Sequence, residues 1–163
     1  MLRKPKQTKD PNDFAAAERS AENILAYADN TEAKLYEKLR ERAYSEEVCA
    51  GVVAKMKKQG FVNDRRYMEN LAISLAKRYG LRVIKDKLYQ KGFSRADIEE
   101  WLPEILEEVD FRASAAESYK KALKGDDAAA DKRAVASLVR LGYSWDEIAY
   151  ARKIRSEESG IRN

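Results

Sequence analysis

Apolar residues recur along this chain at three- and four-residue intervals almost from end to end, with polar residues filling the positions between. Phe14, Ala17, Ala21, Ile24, Leu25 and Ala28 form the first such stripe and predict a helix from Asp13 to about Ala28. Asp29-Asn30-Thr31 interrupts it and supplies caps for a second helix, on which Leu35, Leu39 and Ala43 stand four apart. Ser45 caps a third, with Val48, Cys49, Val52, Val53 and Met56 inside and Gly60 at its end. Gly51 weakens that helix unless it permits a close crossing.

The stretch Gly60-Phe61-Val62-Asn63-Asp64-Arg65-Arg66-Tyr67 reads as a helix–turn–helix joint. Gly60 is suited to the left-handed conformation that closes a helix, and Phe61 and Val62 are expected to fold back onto the face just ended. Asn63 or Asp64 caps a fourth helix, running to about Tyr79, with Tyr67, Leu71, Leu75 and Tyr79 along one face. Gly80 ends it. A fifth helix starts at Leu81 and is expected to bury Leu81, Ile84 and Leu88.

Ser94-Arg95-Ala96-Asp97 has the capping-box form and opens a sixth helix, which Pro103 should keep short. Pro103 suits the first position of a seventh helix, and Glu104, Glu107 and Glu108 would then sit near the positive end of its dipole. That placement explains the carboxylates better than a metal or acid–base site does. Ile105, Val109, Ala113, Ala116 and Leu123 continue the stripe to Gly125. Asp126 and Asp127 open an eighth helix with Ala134, Val135, Leu138 and Leu141. A second capping box, Ser144-Trp145-Asp146-Glu147, starts a ninth that buries Ile148 and Ile154. Trp101 and Trp145 are assigned to packing.

Three joints share a pattern. Leu39 precedes Ala43-Tyr44-Ser45, Leu88 precedes Gly92-Phe93-Ser94, and Leu138 precedes Gly142-Tyr143-Ser144. The leucine stands four residues before the small residue each time, and the triplets are 49 and 50 residues apart. An apolar residue follows each serine closely: Val48, Ile98 and Ile148. The chain is therefore expected to be all-α, with three tandem three-helix repeats forming an elongated, curved array. The boundaries fall at 13–62, 63–102 and 103–156, flanked by a basic, disordered tail over 1–12 and a frayed polar tail over 157–163.

Composition narrows the chemistry. The 163 residues are 37% charged with few Pro or Gly, which favours helix over sheet. The formal net charge of +4 permits an acidic or nucleic-acid partner without requiring one. No histidine is present, which removes the usual metal ligand and the usual general base near neutral pH. The single Cys49 excludes an internal disulfide and suits a reducing compartment; between Val48 and Val52 it reads as a small buried apolar residue. With no Gly-rich phosphate loop, paired cysteines or nucleophile motif, neither a cofactor nor an enzymatic activity is expected. No apolar run approaches a membrane span and the N-terminus has no apolar signal core, so a soluble, cytoplasmic protein is expected.

Lys34-Leu35, Lys38-Leu39 and Ala43-Tyr44-Ser45, then Gly60 to Tyr67, then Lys91-Gly92-Phe93-Ser94, resemble the RecX family of bacterial regulators. The resemblance covers Thr31 to Ser94 well and the third repeat more loosely. Ala43 stands where that family more often has glycine, and Gly80-Leu81-Arg82-Val83-Ile84 carries its Gly-x-x-basic pattern loosely. The resemblance implies three tandem three-helix repeats. It also implies binding to the RecA recombinase filament, limiting its growth and lowering ATP hydrolysis and strand exchange.

Charge suggests where such a partner sits. Between Asp64 and Arg95 the basic residues far outnumber the acidic ones, whereas Asp97 to Asp110 carries carboxylates and no cation. On the fifth helix Arg82, Lys85 and Tyr89 share a face, a basic-aromatic stripe able to meet phosphates or carboxylates. Arg65 and Arg66 at a helix N-terminus oppose the local dipole and call for a partner or neighbouring acids. Arg65, Arg66, Tyr67, Arg82, Lys85, Tyr89 and Lys91 are thus the expected partner-binding residues. The RecA filament is the expected partner and a monomer the expected state. The same charge admits single- or double-stranded DNA, so the competing reading is a helix-turn-helix-like module that acts on DNA directly.

Overall fold

The computed structural model describes residues 10–160; the expectations for 1–9 and 161–163 lie outside the described residues. Among the described residues there are nine α-helices and no strand, so the chain is all-α. In order they are α1 (Phe14–Tyr27), α2 (Glu32–Glu41), α3 (Glu46–Lys58), α4 (Asp64–Ala76), α5 (Leu81–Gln90), α6 (Arg95–Ile105), α7 (Phe111–Ala122), α8 (Ala128–Leu141) and α9 (Trp145–Gly160). No described helix is long and apolar enough to cross a membrane. The chain divides into two compact units, one running to Tyr67 and including Lys91–Phe93, the other comprising Met68–Gln90 and Ser94 onward.

In the first unit α1, α2 and α3 pack on one another. Their core contains Ala17, Ala21, Leu35, Leu39, Cys49, Val52 and Met56, all fully buried. Asp13, Thr31 and Ser45 cap the three helices, each accepting from the backbone N–H three residues on. These bonds satisfy donors that the first helical turn leaves without a partner. Burial pushes the Cys49 thiol pKa up, and its Sγ lies 3.7 Å from the Tyr44 carbonyl, as suits a packed residue rather than a nucleophile.

In the second unit Met68, Ala72 and Ala76 are the buried residues of α4, while α5 packs on α6 through a side that includes Ile84, Leu88, Ile98 and Leu102. The third helical group joins α7 closely to α8 and α9 around Ala115, Tyr119, Ala134, Leu138, Tyr143, Ile148 and Ala151. Tyr119 Oη donates to Asp131 Oδ1 at 2.5 Å, and Arg152 grips both oxygens of the same carboxylate at 2.9 and 2.8 Å. One residue from each of α7, α8 and α9 therefore meets at Asp131.

The three joints repeat in the structure as they do in the sequence. Leu39, Leu88 and Leu138 are each 0% exposed, and Tyr44, Phe93 and Tyr143 are buried. The small residues Ala43, Gly92 and Gly142 all have positive φ, at 64°, 96° and 91°. At the first and third joints the aromatic N–H bonds back to the leucine carbonyl at 3.4 and 3.2 Å, and the small residue's N–H bonds to the carbonyl three back. This is the paired closure that uses up carbonyls stranded at a helix end. Ser45, Ser94 and Ser144 each accept from the backbone N–H three residues later.

Several expectations are corrected. The buried face of α4 lies one residue round from the expected one, because Met68, Ala72 and Ala76 allow close approach while Tyr67, Leu71, Leu75 and Tyr79 flank them half-buried. Leu81 is 41% exposed rather than core, and Phe61 is 59% exposed while Val62 alone folds in. Pro103 does not open a helix: it sits in the last turn of α6, where burial of Leu102 and Leu106 holds that turn in place. Asp110 caps α7 instead, so Glu104 lies near the negative end of α6 and gains nothing from a dipole. On α7 the buried residues are Ala115 and Tyr119, and Ala113 is exposed. α9 runs to Gly160, beyond the position at which the polar tail was expected to begin.

Candidate partner-binding surface

The first unit holds four of the expected partner-binding residues. Gly60 closes α3 with φ 77°, and Asn63 accepts from the Arg66 N–H at 2.9 Å to begin α4. Asp64 accepts from the Glu32 N–H at 3.0 Å, which ties the joint to the start of α2. Arg66 turns back and donates from Nη2 to the Gly60 carbonyl at 3.2 Å. Its charge thus has an internal use at the negative end of α3, so the unfavourable position on α4 needs no outside explanation. Tyr67 is half-buried with its ring 5.3 Å from that of Phe93; burial, and then Asp29, push its phenol pKa up. Arg65 and Lys91 are exposed.

The second unit holds Arg82, Lys85 and Tyr89 on the outer side of α5. Arg82 donates from Nη2 to the Val139 carbonyl at 2.7 Å and lies 3.8 Å from Asp86, so it ties α5 to the last turn of α8. Lys85 borders a cleft of about 390 Å³ with Tyr89, Gln90, Arg95 and Glu99 on one side. On the other side it borders a more apolar cleft of about 550 Å³ formed by Leu81, Val139, Tyr143 and Trp145. Tyr89 is 65% exposed, and Lys87 covers the ring of Tyr79 at 4.7 Å.

Two residues bordering this surface do not follow from the hydrophobic pattern. Trp145, assigned to packing from sequence, is 70% exposed at the start of α9, and Leu81 is half-open beside it. A signal for Trp145 was present: at the other two joints the residue after the serine is Glu46 or Arg95, both polar and exposed. The same register on α9 faces solvent. Among the described residues no group of His, Cys, Asp and Glu gathers to hold a metal ion. A cleft of about 810 Å³ around Tyr119, Asp131, Arg152 and Arg155 is lined by charges that pair internally.

Residues 17–56 match the first three-helix domain of RecX, and residues 63–102 match its second three-helix domain. Regulatory protein RecX of Pseudomonas putida strain GB-1 is 31% identical over 111 residues, spanning 68% of this chain and 70% of that protein. Regulatory protein RecX of Clostridioides difficile strain 630 is 30% identical over 145 residues, spanning 85% of this chain and 68% of that one. The crystal structure of RecX from Lactobacillus salivarius superposes with a TM-score of 0.75 at 21% identity, covering 86% of this chain and 95% of that chain, a likeness of fold.

Proposed function

The chain belongs to the RecX family of regulatory proteins, and from that premise we propose that it regulates the RecA recombinase by binding its filament. Binding limits filament extension, lowers ATP hydrolysis and strand exchange, and so regulates recombinational DNA repair. The action is one of contact rather than catalysis: the chain has no histidine and no phosphate-cradling glycine loop, and it calls for no cofactor. The cytoplasm is the compartment in which a monomer of this kind would work.

The observation that carries the reading is the outer face of α5, in the domain matching the second of the family. There Lys85 and Tyr89 are exposed on a helix held in place by the Arg82–Val139 bond. A cation and a ring on a fixed helix offer directional contacts to a protein or nucleic-acid surface without a large ordering cost. Added to RecA on single-stranded DNA, the protein should slow ATP hydrolysis, and Lys85→Glu should weaken that effect while the helical spectrum stays intact. Unchanged hydrolysis at large excess of protein rejects the proposal.

The same lysine and ring support a second reading, direct binding to DNA. It predicts affinity for DNA alone that falls steeply with salt, and no binding at low salt removes it.

A further inference from the structure

We infer that the third helical group serves as the cap for the start of α5, so that α8 sets how firmly the helix bearing Lys85 and Tyr89 is held. Every other described helix starts on an Asp, Asn, Ser or Thr whose side chain accepts from the backbone N–H three residues on. At α5 that position belongs to Gly80. Its carbonyl takes the first helical bond, from the Ile84 N–H at 3.1 Å, but it has no side chain to offer. The first turn of α5 holds no carboxylate, and it carries Arg82, whose charge opposes the helix dipole. The local sequence thus leaves the start of α5 without the device used everywhere else.

The last turn of α8 takes its place. The Gly80 N–H donates to the Leu141 carbonyl at 2.9 Å, and Arg82 Nη2 donates to the Val139 carbonyl at 2.7 Å. Both oxygens lie at the negative end of α8, where carbonyls lack intrahelical donors. The service is mutual: the positive start of α5 meets the negative end of α8, and each satisfies polar groups that the other strands. Glycine on both sides makes the approach possible. A Cβ on Gly80 would come within 2.3 Å of the Gly142 oxygen, and one on Gly142 within 2.7 Å of the Val83 nitrogen. These residues all belong to the second unit. Gly80, Arg82 and Gly142 are therefore positioning residues for the outer face of α5.

Amide hydrogen exchange, followed by NMR on the isotope-labelled full chain, tests the cap. Gly142→Ala leaves the sequence of α5 untouched, so any effect on α5 must cross the seam; it should speed exchange at Ile84 to Leu88 about tenfold or more, with α1–α3 at the parent rate. Arg82→Met is the milder variant and should speed the same amides about fivefold. Gly125→Ala is the control. It too has positive φ, at 111°, and precedes α8, but its added Cβ meets only Ala130 at 3.5 Å. Parent rates in α5 for both seam variants overturn the inference. Equal acceleration by Gly125→Ala also overturns it, because the effect is then a general loss of stability. The consequence for binding rests on the reading of α5 as the contact face and has its own measurement. Gly80 is buried, out of a partner's reach, so Gly80→Ala should weaken binding to RecA filaments about fivefold or more only by loosening α5, and Gly125→Ala should not. Faster α5 exchange with unchanged filament affinity would remove α5 as the contact face and leave the cap standing.

Discussion

Gly80→Ala tests how the second and third helical groups are joined within the second unit. A Cβ added at Gly80 would lie 2.3 Å from the Gly142 oxygen, 2.4 Å from its carbonyl carbon and 2.5 Å from the Tyr143 nitrogen. All three are backbone atoms, so no rotamer change relieves the clash. They also belong to the closing turn of α8, where the Gly142 N–H bonds to Val139 and the Tyr143 N–H to Leu138. Ordinary contact requires the two segments to part by about 1 Å, which forfeits a good part of the dispersion attraction across the junction. The Gly80–Leu141 hydrogen bond must lengthen in the same movement.

Overpacking of this kind costs about 1–3 kcal/mol. A weakened backbone hydrogen bond adds about 1 kcal/mol. Restriction of the unfolded chain by alanine returns roughly 0.4–1 kcal/mol. The net loss is about 1–3.5 kcal/mol, and at roughly 2–4 °C per kcal/mol for a chain of this size the melting temperature should fall by about 2–14 °C. Urea denaturation followed by far-UV circular dichroism measures it. Gly60→Ala is the control: Gly60 has φ 77° but nothing within 4 Å of an added Cβ, so it carries only backbone strain of about 1–2 kcal/mol. Gly80→Ala should be the more damaging, although its backbone is ordinary. If it unfolds within about 0.5 kcal/mol of the parent, close to the noise of surface substitutions, the junction is not held as argued.

Ala43→Gly relieves a left-handed alanine at an exposed position, and should stabilise by about 0.5–1 kcal/mol once the greater freedom of unfolded glycine is deducted, as thermal melts will show. Leu39→Ala and Leu138→Ala, at equivalent fully buried positions, should each cost about 2–5 kcal/mol in urea denaturation. The Tyr119 hydroxyl, with Arg152 assisting, holds the Asp131 pKa below the usual carboxylate range. A depressed carboxylate stabilises the fold above its unfolded pKa of about 3.9 and loses that contribution as pH falls through the folded value. The stability gap between the parent and Asp131→Asn should therefore be full at neutral pH and close in acid, when urea midpoints are followed against pH. Arg82→Ala should lower stability along with partner binding, whereas Lys85→Ala should lower binding alone; equal melting temperatures for the two would contradict the Arg82–Val139 tie.

Much of the fold was legible because two periodicities coincide. Apolar residues at helical spacing mark the buried faces, and the leucine–small–aromatic–serine joint marks where each second helix must stop. The small residue is needed because the chain turns through positive φ there, and the serine because the next helix needs an oxygen for its first amides. Pro103 was misread because the sequence shows a missing N–H but not whether the lost bond opens a helix or falls in a last turn. Here the burial of Leu102 and Leu106 on either side decides it. Trp145 and Leu81 were misplaced by treating apolar as inside. That rule fails in the first turn of a helix, where the capping residue fixes which way the next side chain points.

The basic middle of the chain looked like a partner surface by its charge alone, yet some arginines in and beside it are used within the fold. Arg40 donates to the Tyr44 carbonyl at 2.7 Å, Arg66 to Gly60 and Arg82 to Val139. In each case a guanidinium reaches a carbonyl at or beside a helix end, where oxygens lack intrahelical donors and the dipole is negative. A planar fork on a long stem suits that task better than an ammonium does. Arginines near joints are therefore partly spent on the fold, and a raw count of cations overstates what is left for a partner. Lys85 and Lys91 are exposed, as are the rings of Tyr89 and Trp145. A recognition surface within the second unit would rest on Lys85 and the rings of Tyr89 and Trp145, with Arg82 holding α5 to the end of α8.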